Sequence, residues 1–171
     1  YLNSSVDLGL VQVEPEAAEN PVRPFLEAAL NTAKPEFREV HVGTPVIVVG
    51  GGCERINPLS ARCEGSISAG LGYLKAAQRK LVLPKVGNLP LPTGQYYYAT
   101  NSTVERSLGP GDSGGPLLLA NGHVIGVHSL ITAVQAENQK SLPNYHVKLS
   151  HPAVASWLKL HLNKPVLLSL R

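Results

Sequence analysis

The stretch that decides the fold of this chain runs from Gly109 to Pro116 and reads GPGDSGGP. It places one aspartate and one serine between glycines, directly before the apolar run Leu117–Leu119. A glycine-rich turn before a hairpin would explain the glycines, but it has no need of the acid and the serine. Glycine neighbours leave open space around the Ser113 hydroxyl, and the amides of Gly111 and Ser113 can point together at one spot beside it. Two such donors stabilise the oxyanion of a tetrahedral intermediate. The stretch therefore predicts a nucleophile presented on a tight loop.

Short apolar segments on both sides of this stretch predict an all-β chain. Just after it, Asn121–Gly122 separates two apolar runs, and this pair is typical of a two-residue type I′ hairpin turn. The spacing of Val154, Trp157, Leu158 and His161 predicts one helix, which Ser150 would cap. Tyr96–Tyr98 are interpreted as either a strand or a cleft wall. The other predicted elements are strands at 6–13, 45–50, 64–69, 80–86 and 145–149, a helical turn at 25–30, and the helix itself at 151–162. We therefore expect a barrel or sandwich with a terminal helix.

Composition excludes several classes of protein. Hydrophobic residues make up 43% of the 171 positions and charged residues 16%, which excludes a disordered chain. Lys and Arg number 15 against 12 Asp and Glu, with no dense basic run, so no nucleic-acid partner is expected. Apolar runs such as 45–49 are far shorter than the roughly 18 residues of a membrane span, and no cofactor or metal site is predicted. The first residues do not resemble a signal peptide, and without any Met we expect a processed chain or a fragment.

The two cysteines, Cys53 and Cys63, lie ten positions apart, which excludes a CxxC metal or redox pair. Two interpretations stay open: a pair of free buried thiols, or a disulfide that closes a turn-rich loop. A disulfide would fit an oxidising compartment. The Asn-x-Ser/Thr triplets at Asn3 and Asn101 are compatible with secretion. We therefore expect a secreted or other extracytoplasmic protein.

The order of motifs along the chain resembles the chymotrypsin/trypsin-like serine proteases. Gly111–Pro116 matches the active-site serine motif of that family letter for letter. The weaker matches are Val6–Leu10 to the acidic-residue strand, Gly43–Gly52 to the first strand of the second barrel (with a glycine instead of the customary tryptophan), Val124–Leu130 to the substrate-pairing strand, and Pro143–Tyr145 and the Trp157 helix to the closing elements. The resemblance implies a trypsin-like double β-barrel: 1–20 would end the N-terminal barrel, 21–42 would connect the barrels, and 43–171 would form the C-terminal barrel and helix.

The family mechanism implies a role for each matching residue. Ser113 would be the nucleophile, and Asp7 would orient the histidine that takes the serine proton. The Gly111 and Ser113 amides would form the oxyanion hole. Asp112 would be a buried carboxylate that shapes the loop by pairing with a cationic group, which in many members is a newly freed amino terminus. Tyr1–Leu2 does not resemble that terminus.

The catalytic histidine is missing from the position that the family order requires. In this family the order is histidine, aspartate, serine, and only six residues precede Asp7, none of them histidine. The six histidines present are interpreted as surface or hydrogen-bonded polar residues: His41, His123, His128, His146, His151 and His161. His128 is the one expected to border the cleft. Two explanations stay open: the base lies on a separate upstream chain of the same precursor, or the chain is a catalytically inactive protease-like binding module.

Specificity is predicted from the residues that occupy the family's pocket positions. Ser107, six positions before the nucleophile, is neutral, which argues against a preference for Arg or Lys at P1, the residue before the cut. Ser129, Leu130 and Ile131 would form the neck of the pocket, and Ile131 would narrow it unless it is simply an inward-pointing strand residue. We therefore expect peptide or protein substrates with a small or medium apolar P1 residue. An α/β acyl hydrolase fits poorly, because it needs its acid and histidine after the serine.

Overall fold

Six antiparallel strands in the described part of the chain close into one barrel. The computed structural model describes residues 8–9, 33–53, 57, 63, 75–82, 93–103, 108–131 and 141–162. In chain order the elements are β1 (Pro45–Gly50), β2 (Lys75–Val82), the short helix α1 (Thr93–Tyr96), β3 (Tyr97–Thr103), β4 (Pro116–Leu118), β5 (Val124–Ile131), β6 (Ser141–Lys148) and helix α2 (Pro152–Leu162). Neither helix is long and apolar enough to cross a membrane.

The strands follow each other around the barrel in the order β1, β2, β3, β6, β5, β4, and β4 pairs with β1 to close it. At the closure, Val48 of β1 lies opposite Leu117 of β4. Because each of the six strands has two neighbours, the closed barrel leaves no free edge. The closure also brings the carboxyl end of β1 next to the loop that precedes β4, where Ser113 lies.

Two apolar clusters pack on opposite faces of the barrel wall. Side chains alternate between the faces of a strand, and on β3 Tyr98 belongs to the inner cluster while Tyr97 and Ala99 belong to the outer one. The inner cluster fills the barrel with buried Val46, Val48, Leu81, Tyr98, Leu108, Leu117 and Ile125. The outer cluster lies between the wall and α2, which contributes the buried side chains Val154 and Leu158.

Most predicted elements appear in the structure, with shifted bounds. The strand at 45–50 is confirmed, whereas β2 begins five residues before the predicted start at 80, and β6 begins four residues before the predicted 145. The stretch Tyr96–Tyr98 ends α1 and begins β3, so its strand interpretation is the correct one for Tyr97 and Tyr98. Of the predicted strand at 6–13, the structure describes residues 8–9, and these are not in a strand. The rest of that segment and the predictions at 25–30, 64–69 and 83–86 lie outside the described residues. The division into 1–20, 21–42 and 43–171 stays a prediction.

The hairpin between β4 and β5 is confirmed, but its turn differs from the predicted type I′. Leu119 N–H donates to His123 O at 2.9 Å, so the loop contains three residues, Ala120 to Gly122. Gly122 N–H closes a turn onto Leu119 O, also at 2.9 Å, and Gly122 has a φ of +81°. A turn followed by a left-handed glycine is the usual three-residue hairpin. Asn121 therefore does not need the positive φ that a two-residue turn would impose.

Helix α2 is confirmed, but Ser150 does not cap it. The ring Nδ1 of His151 accepts the Ala153 N–H at 3.3 Å at the start of the helix. The Ser150 hydroxyl instead donates to Glu39 at 2.7 Å and lies 3.0 Å from the Tyr98 hydroxyl. The Tyr98 hydroxyl also accepts the Val40 N–H at 3.0 Å. Ser150 therefore helps to hold the segment before β1 against the barrel.

Candidate active site

Two consecutive turns that share Asp112 present the Ser113 side chain. Asp112 N–H donates to Gly109 O at 2.9 Å, and Gly115 N–H donates to Asp112 O at 3.0 Å. The third residue of each turn is a glycine with positive φ, +92° at Gly111 and +84° at Gly114. A positive φ at this place is the mark of a type II turn, which glycine adopts without strain. The pair of turns leaves Ser113 exposed to solvent.

The Asp112 side chain points the other way, into the protein. It is 2% exposed. One carboxylate oxygen accepts the Gly52 N–H at 2.6 Å, and the other accepts the Gly109 N–H at 2.8 Å. The structure thus places Asp112 under the turns, where two backbone amides donate to its carboxylate. The cationic partner that the resemblance implied for Asp112 stays a prediction. Hydrogen bonds to a charged acceptor are roughly twice as strong as neutral ones, so this carboxylate anchors the turn to the end of β1.

Glycines at the end of β1 allow this close approach. A Cβ on Gly50 would collide with the Asp112 carboxylate. A Cβ on Gly52 would lie 2.6 Å from the carbonyl carbon of Gly111 and 2.7 Å from the amide nitrogen of Asp112. At Gly51, the position where the family has tryptophan, a Cβ would meet nothing within 4 Å. Close packing therefore requires glycine at the first and third positions of this triplet but not at the second.

Cys53 and Cys63 form a disulfide, with their Cα atoms 5.8 Å apart. Of the two open interpretations of this pair, the disulfide is the one the structure shows. Cys53 is buried and donates its N–H to Pro110 O at 3.0 Å. Ile131 packs against the same pair. The disulfide therefore packs next to both the turn that begins at Gly109 and the end of β5.

A cleft of about 300 Å³ opens beside Ser113. All three predicted neck residues line it together with Ser113, so the structure brings these parts of the candidate site to one place. The lining residues are Leu108, Gly109, Pro110, Asp112, Ser113, His128, Ser129, Leu130 and Ile131. Among the lining residues that the structure describes, only Asp112 carries a fixed charge, and its two carboxylate oxygens accept backbone amides.

Two predicted site residues lie outside the described residues, namely Asp7 and Ser107. Their neighbours are described. Leu8 is half-buried against the outer cluster that α2 covers, and Leu108 is buried in the inner cluster. Within the described ranges, no group of three or more His, Cys, Asp or Glu side chains is placed to hold a metal ion.

A row of hydrogen-bonded polar side chains lies on the inner face of the barrel wall and ends at the cleft. His128 on β5 lies opposite His146 on β6, and their Nδ1 atoms are 2.8 Å apart. The other ring nitrogen of His128 lies 3.0 Å from Val49 O, and that of His146 lies 2.9 Å from the Thr100 hydroxyl. His128 is 4% exposed, and His146 and Thr100 are fully buried.

Burial makes both imidazoles hard to charge. It lowers the pKa of the His146 ring well below its ordinary value of 6.5, and the adjacent His128 lowers this pKa further. Burial also lowers the pKa of His128, while the Val49 carbonyl and the Asp112 carboxylate oppose that shift. Both rings are therefore neutral at pH 7.

The Val49 carbonyl determines the direction of the hydrogen bonds that link Thr100, His146 and His128. Val49 O can only accept, so Nε2 of a neutral His128 carries the proton and its Nδ1 accepts. His146 must then donate from its own Nδ1, which leaves its Nε2 to accept the proton of the Thr100 hydroxyl. Sequence reasoning placed His128 at the cleft but missed its link to His146. The link depends on the β5–β6 register, in which these two polar residues interrupt apolar strands directly opposite each other.

The remaining four histidines lie away from the Ser113 cleft. His41 is exposed, and His123 lies 3.8 Å from Glu36 near the hairpin turn. His151 stacks on Tyr96 with ring centres 4.0 Å apart, and His161 lies 2.7 Å from the Trp157 carbonyl. Among the histidines, all of which are described, His128 is the one that lines the Ser113 cleft.

Comparisons with known proteins agree with the motif analysis. The Trypsin family model matches residues 1–158. Among solved structures, a mutant of human heparin binding protein (CAP37) is similar over 78% of this chain and 49% of its own, with 20% identity and a TM-score of 0.51. An inactive mutant form of Rv3671c from M. tuberculosis is similar over 78% of this chain and 55% of its own, with 19% identity and a TM-score of 0.43. No curated protein matches the chain significantly. The chain spans about half the length of these solved structures.

Proposed function

Because the chain belongs to the trypsin family, we propose that it is a serine endopeptidase that cleaves peptide bonds through an acyl-enzyme on Ser113. One observation carries the proposal. Ser113 is exposed on two glycine turns, which the buried Asp112 carboxylate holds against the end of β1. It lies beside a cleft of about 300 Å³. A turn that served only to connect strands would need neither the anchored carboxylate nor the adjoining cleft.

The reaction would use the two turns as follows. The Ser113 oxygen attacks the carbonyl carbon of the scissile peptide and gives its proton to a histidine base. The amides of Gly111 and Ser113 belong to adjacent turns and are not used by the turn hydrogen bonds. They would stabilise the oxyanion of the tetrahedral intermediate. The intermediate collapses, the amine leaves with the proton, and water then hydrolyses the ester on Ser113.

The histidine base would come from a separate upstream chain of the same precursor. Within the chain itself, His128 lines the cleft, but its two ring nitrogens are hydrogen-bonded to Val49 and His146. His128 therefore has no nitrogen left for the Ser113 proton. Asp7 would orient the incoming histidine. The upstream chain would complete the first barrel of a trypsin-like double barrel, of which this chain supplies the last strand or strands.

This division of the site predicts that the two pieces stay together. We expect the upstream chain and this chain to co-purify under native conditions and to hydrolyse peptides as a complex. Recovery of this chain alone in a folded, active form would contradict the proposal.

We propose that the protease prefers a small or medium apolar residue at P1. The cleft has apolar walls, formed by Leu108, Leu130 and Ile131. Ser107 would form an uncharged floor of the pocket. A panel of peptides that differ only at P1 tests the proposal. A strong preference for Arg or Lys would contradict it.

The acyl-enzyme step has its own test. With an activated ester as substrate, a serine enzyme that acylates faster than it deacylates releases a burst of one leaving group per active site. We expect this burst from the complex and its loss in Ser113→Ala. Turnover that persists in Ser113→Ala would assign the activity to another group.

The second candidate is a catalytically inactive protease-like binding module. The engagement of both His128 nitrogens favours it, since the described residues then hold no base for Ser113. It predicts no burst even when the upstream chain is present. The disulfide and the trypsin family both suggest an extracytoplasmic location. Either candidate is compatible with that location.

A further inference from the structure

The His128 strand holds the nucleophile turn at two further points, beyond the Asp112 anchor. Gly114 N–H donates to His128 O at 2.9 Å, and His128 N–H donates to Gly115 O at 2.8 Å. The ring also touches this turn, because a Cβ on Gly115 would lie 2.9 Å from its Cδ2 atom and 2.9 Å from Val49 O. Gly115 is therefore enclosed between the His128 ring and the carbonyl to which that ring donates. The main chain and the side chain of His128 together fix the residues that follow Ser113.

We propose that His128 is a positioning residue for the Ser113 turn, and that Thr100 and His146 keep its ring in the tautomer that donates to Val49. The inference rests on the proposed function, since it concerns the turn that presents the nucleophile. Its basis is the continuity of the hydrogen bonds. Each ring nitrogen of the two histidines has one hydrogen-bond partner. The bonds link Thr100 to His146, His146 to His128, and His128 to Val49. Loss of the hydrogen bond at Thr100 therefore changes the hydrogen bonds of His128, whose ring contacts the Ser113 turn.

Without the hydroxyl donor of Thr100, no placement of the ring protons satisfies every buried nitrogen of His146 and His128. If His146 keeps its proton on Nδ1, its fully buried Nε2 has no donor. If the proton moves to Nε2, two unprotonated Nδ1 atoms face each other across 2.8 Å. His128 could then donate from Nδ1 only by giving up its bond to Val49. Each alternative costs one buried hydrogen bond or leaves a buried acceptor unsatisfied.

Protonation is limited by the same geometry. The titratable groups that face His128 are the neutral His146 on β6 and the Asp112 carboxylate on the loop before β4. One added proton reverses the bond between Thr100 and His146, so that Nε2 of His146 donates to the Thr100 oxygen, and the bond from His128 to Val49 survives. A second proton would place two N–H groups head to head across 2.8 Å. The pair therefore accepts one proton in the folded state.

The first test measures tautomers by nitrogen-15 NMR of histidine side chains in the full chain at pH 7. The proposal predicts a proton on Nε2 of His128 and on Nδ1 of His146, with neither ring charged. The opposite tautomer on either ring would overturn it. This test does not depend on activity, so it stands whether or not Ser113 reacts.

The second test compares Thr100→Val, which keeps the shape but removes the donor, with Thr100→Ser, which keeps the donor. We expect Thr100→Val to speed hydrogen exchange at the Gly114 amide and to slow fluorophosphonate labelling of Ser113, each about fivefold, as for one lost hydrogen bond. Thr100→Ser should restore both rates to within about twofold of the unmodified chain. Equal rates in the two variants would overturn the proposal. If the unmodified complex is not labelled, the proposed function fails, and the exchange rates and tautomers still decide the positioning role.

Discussion

A methyl group at Gly52 should disrupt the hydrogen bonds that hold the Ser113 turn against the end of β1. In Gly52→Ala the new Cβ would lie 2.6 Å from both the Gly111 carbonyl carbon and the Pro110 oxygen, all within main chain that cannot rotate away. Relief of this collision would separate residues 52–53 from the turn at 109–112. The separation would break the hydrogen bond from Gly52 N–H to Asp112 at 2.6 Å and that from Cys53 N–H to Pro110 at 3.0 Å. A hydrogen bond to a charged group contributes about 1.5–3 kcal/mol and a neutral one about 1 kcal/mol. We therefore expect a loss of about 3 kcal/mol in the free energy of unfolding.

The neighbouring glycine provides the control. In Gly51→Ala the Cβ meets nothing within 4 Å, so we expect a change within about 0.5 kcal/mol. Urea unfolding of both variants measures the stability difference. Labelling of Ser113 by a fluorophosphonate should slow by about 100-fold in Gly52→Ala, since the amides proposed to form the oxyanion hole move with the turn. If the two alanine variants have equal stability and equal labelling rates, the anchor does not hold the turn and the reasoning is refuted.

Three further predictions follow from the same region. Ile131→Gly should widen the cleft and raise the kcat/KM ratio for a P1 Phe over a P1 Ala peptide by about tenfold, and an unchanged ratio would place Ile131 outside the pocket. Replacement of Cys53 and Cys63 by Ala should lower the free energy of unfolding by about 3 kcal/mol in urea, because a loop of this length is no longer closed, and a change below about 0.5 kcal/mol would contradict this. The free energy of unfolding should also fall as the pH drops below 6.5, because the unfolded chain takes up protons there while burial lowers the pKa of His128 and His146 in the folded state. Replacement of His146 by Gln should flatten this dependence, and an equally steep loss in that variant would exclude the pair as its source.

Local sequence patterns predicted those parts of the barrel and of the loop before β4 that depend on a few adjacent residues. The strand at 45–50, the β4–β5 hairpin and the Val154–Leu158 face of α2 are all visible as patterns of apolar residues. The glycines around Ser113 predicted a serine presented on a tight turn, and Gly111 and Gly114 have the positive φ values, +92° and +84°, that glycine adopts without strain. Such features depend on a few adjacent residues, which is why they can be predicted. The burial of Asp112 was implied only by the family resemblance.

Features that depend on strand register were not predictable in the same way. The start of β2 at Lys75 has no apolar alternation, and its pairing with β1 determines it. His128 and His146 are 18 positions apart and meet only because β5 and β6 align them. The cap of α2 was assigned to Ser150, whose hydroxyl is instead bound by Glu39, a residue 111 positions away. In each case a long-range contact overrides the local pattern.

The measurement that tests the central claim most directly is the mass of the peptide containing Ser113 after the native complex has reacted with a fluorophosphonate. The account predicts a single adduct, located on Ser113, and no adduct after denaturation, because activation of this hydroxyl requires the folded turn and a histidine base. An unmodified Ser113 in the folded complex, or an adduct on a different serine, would contradict it.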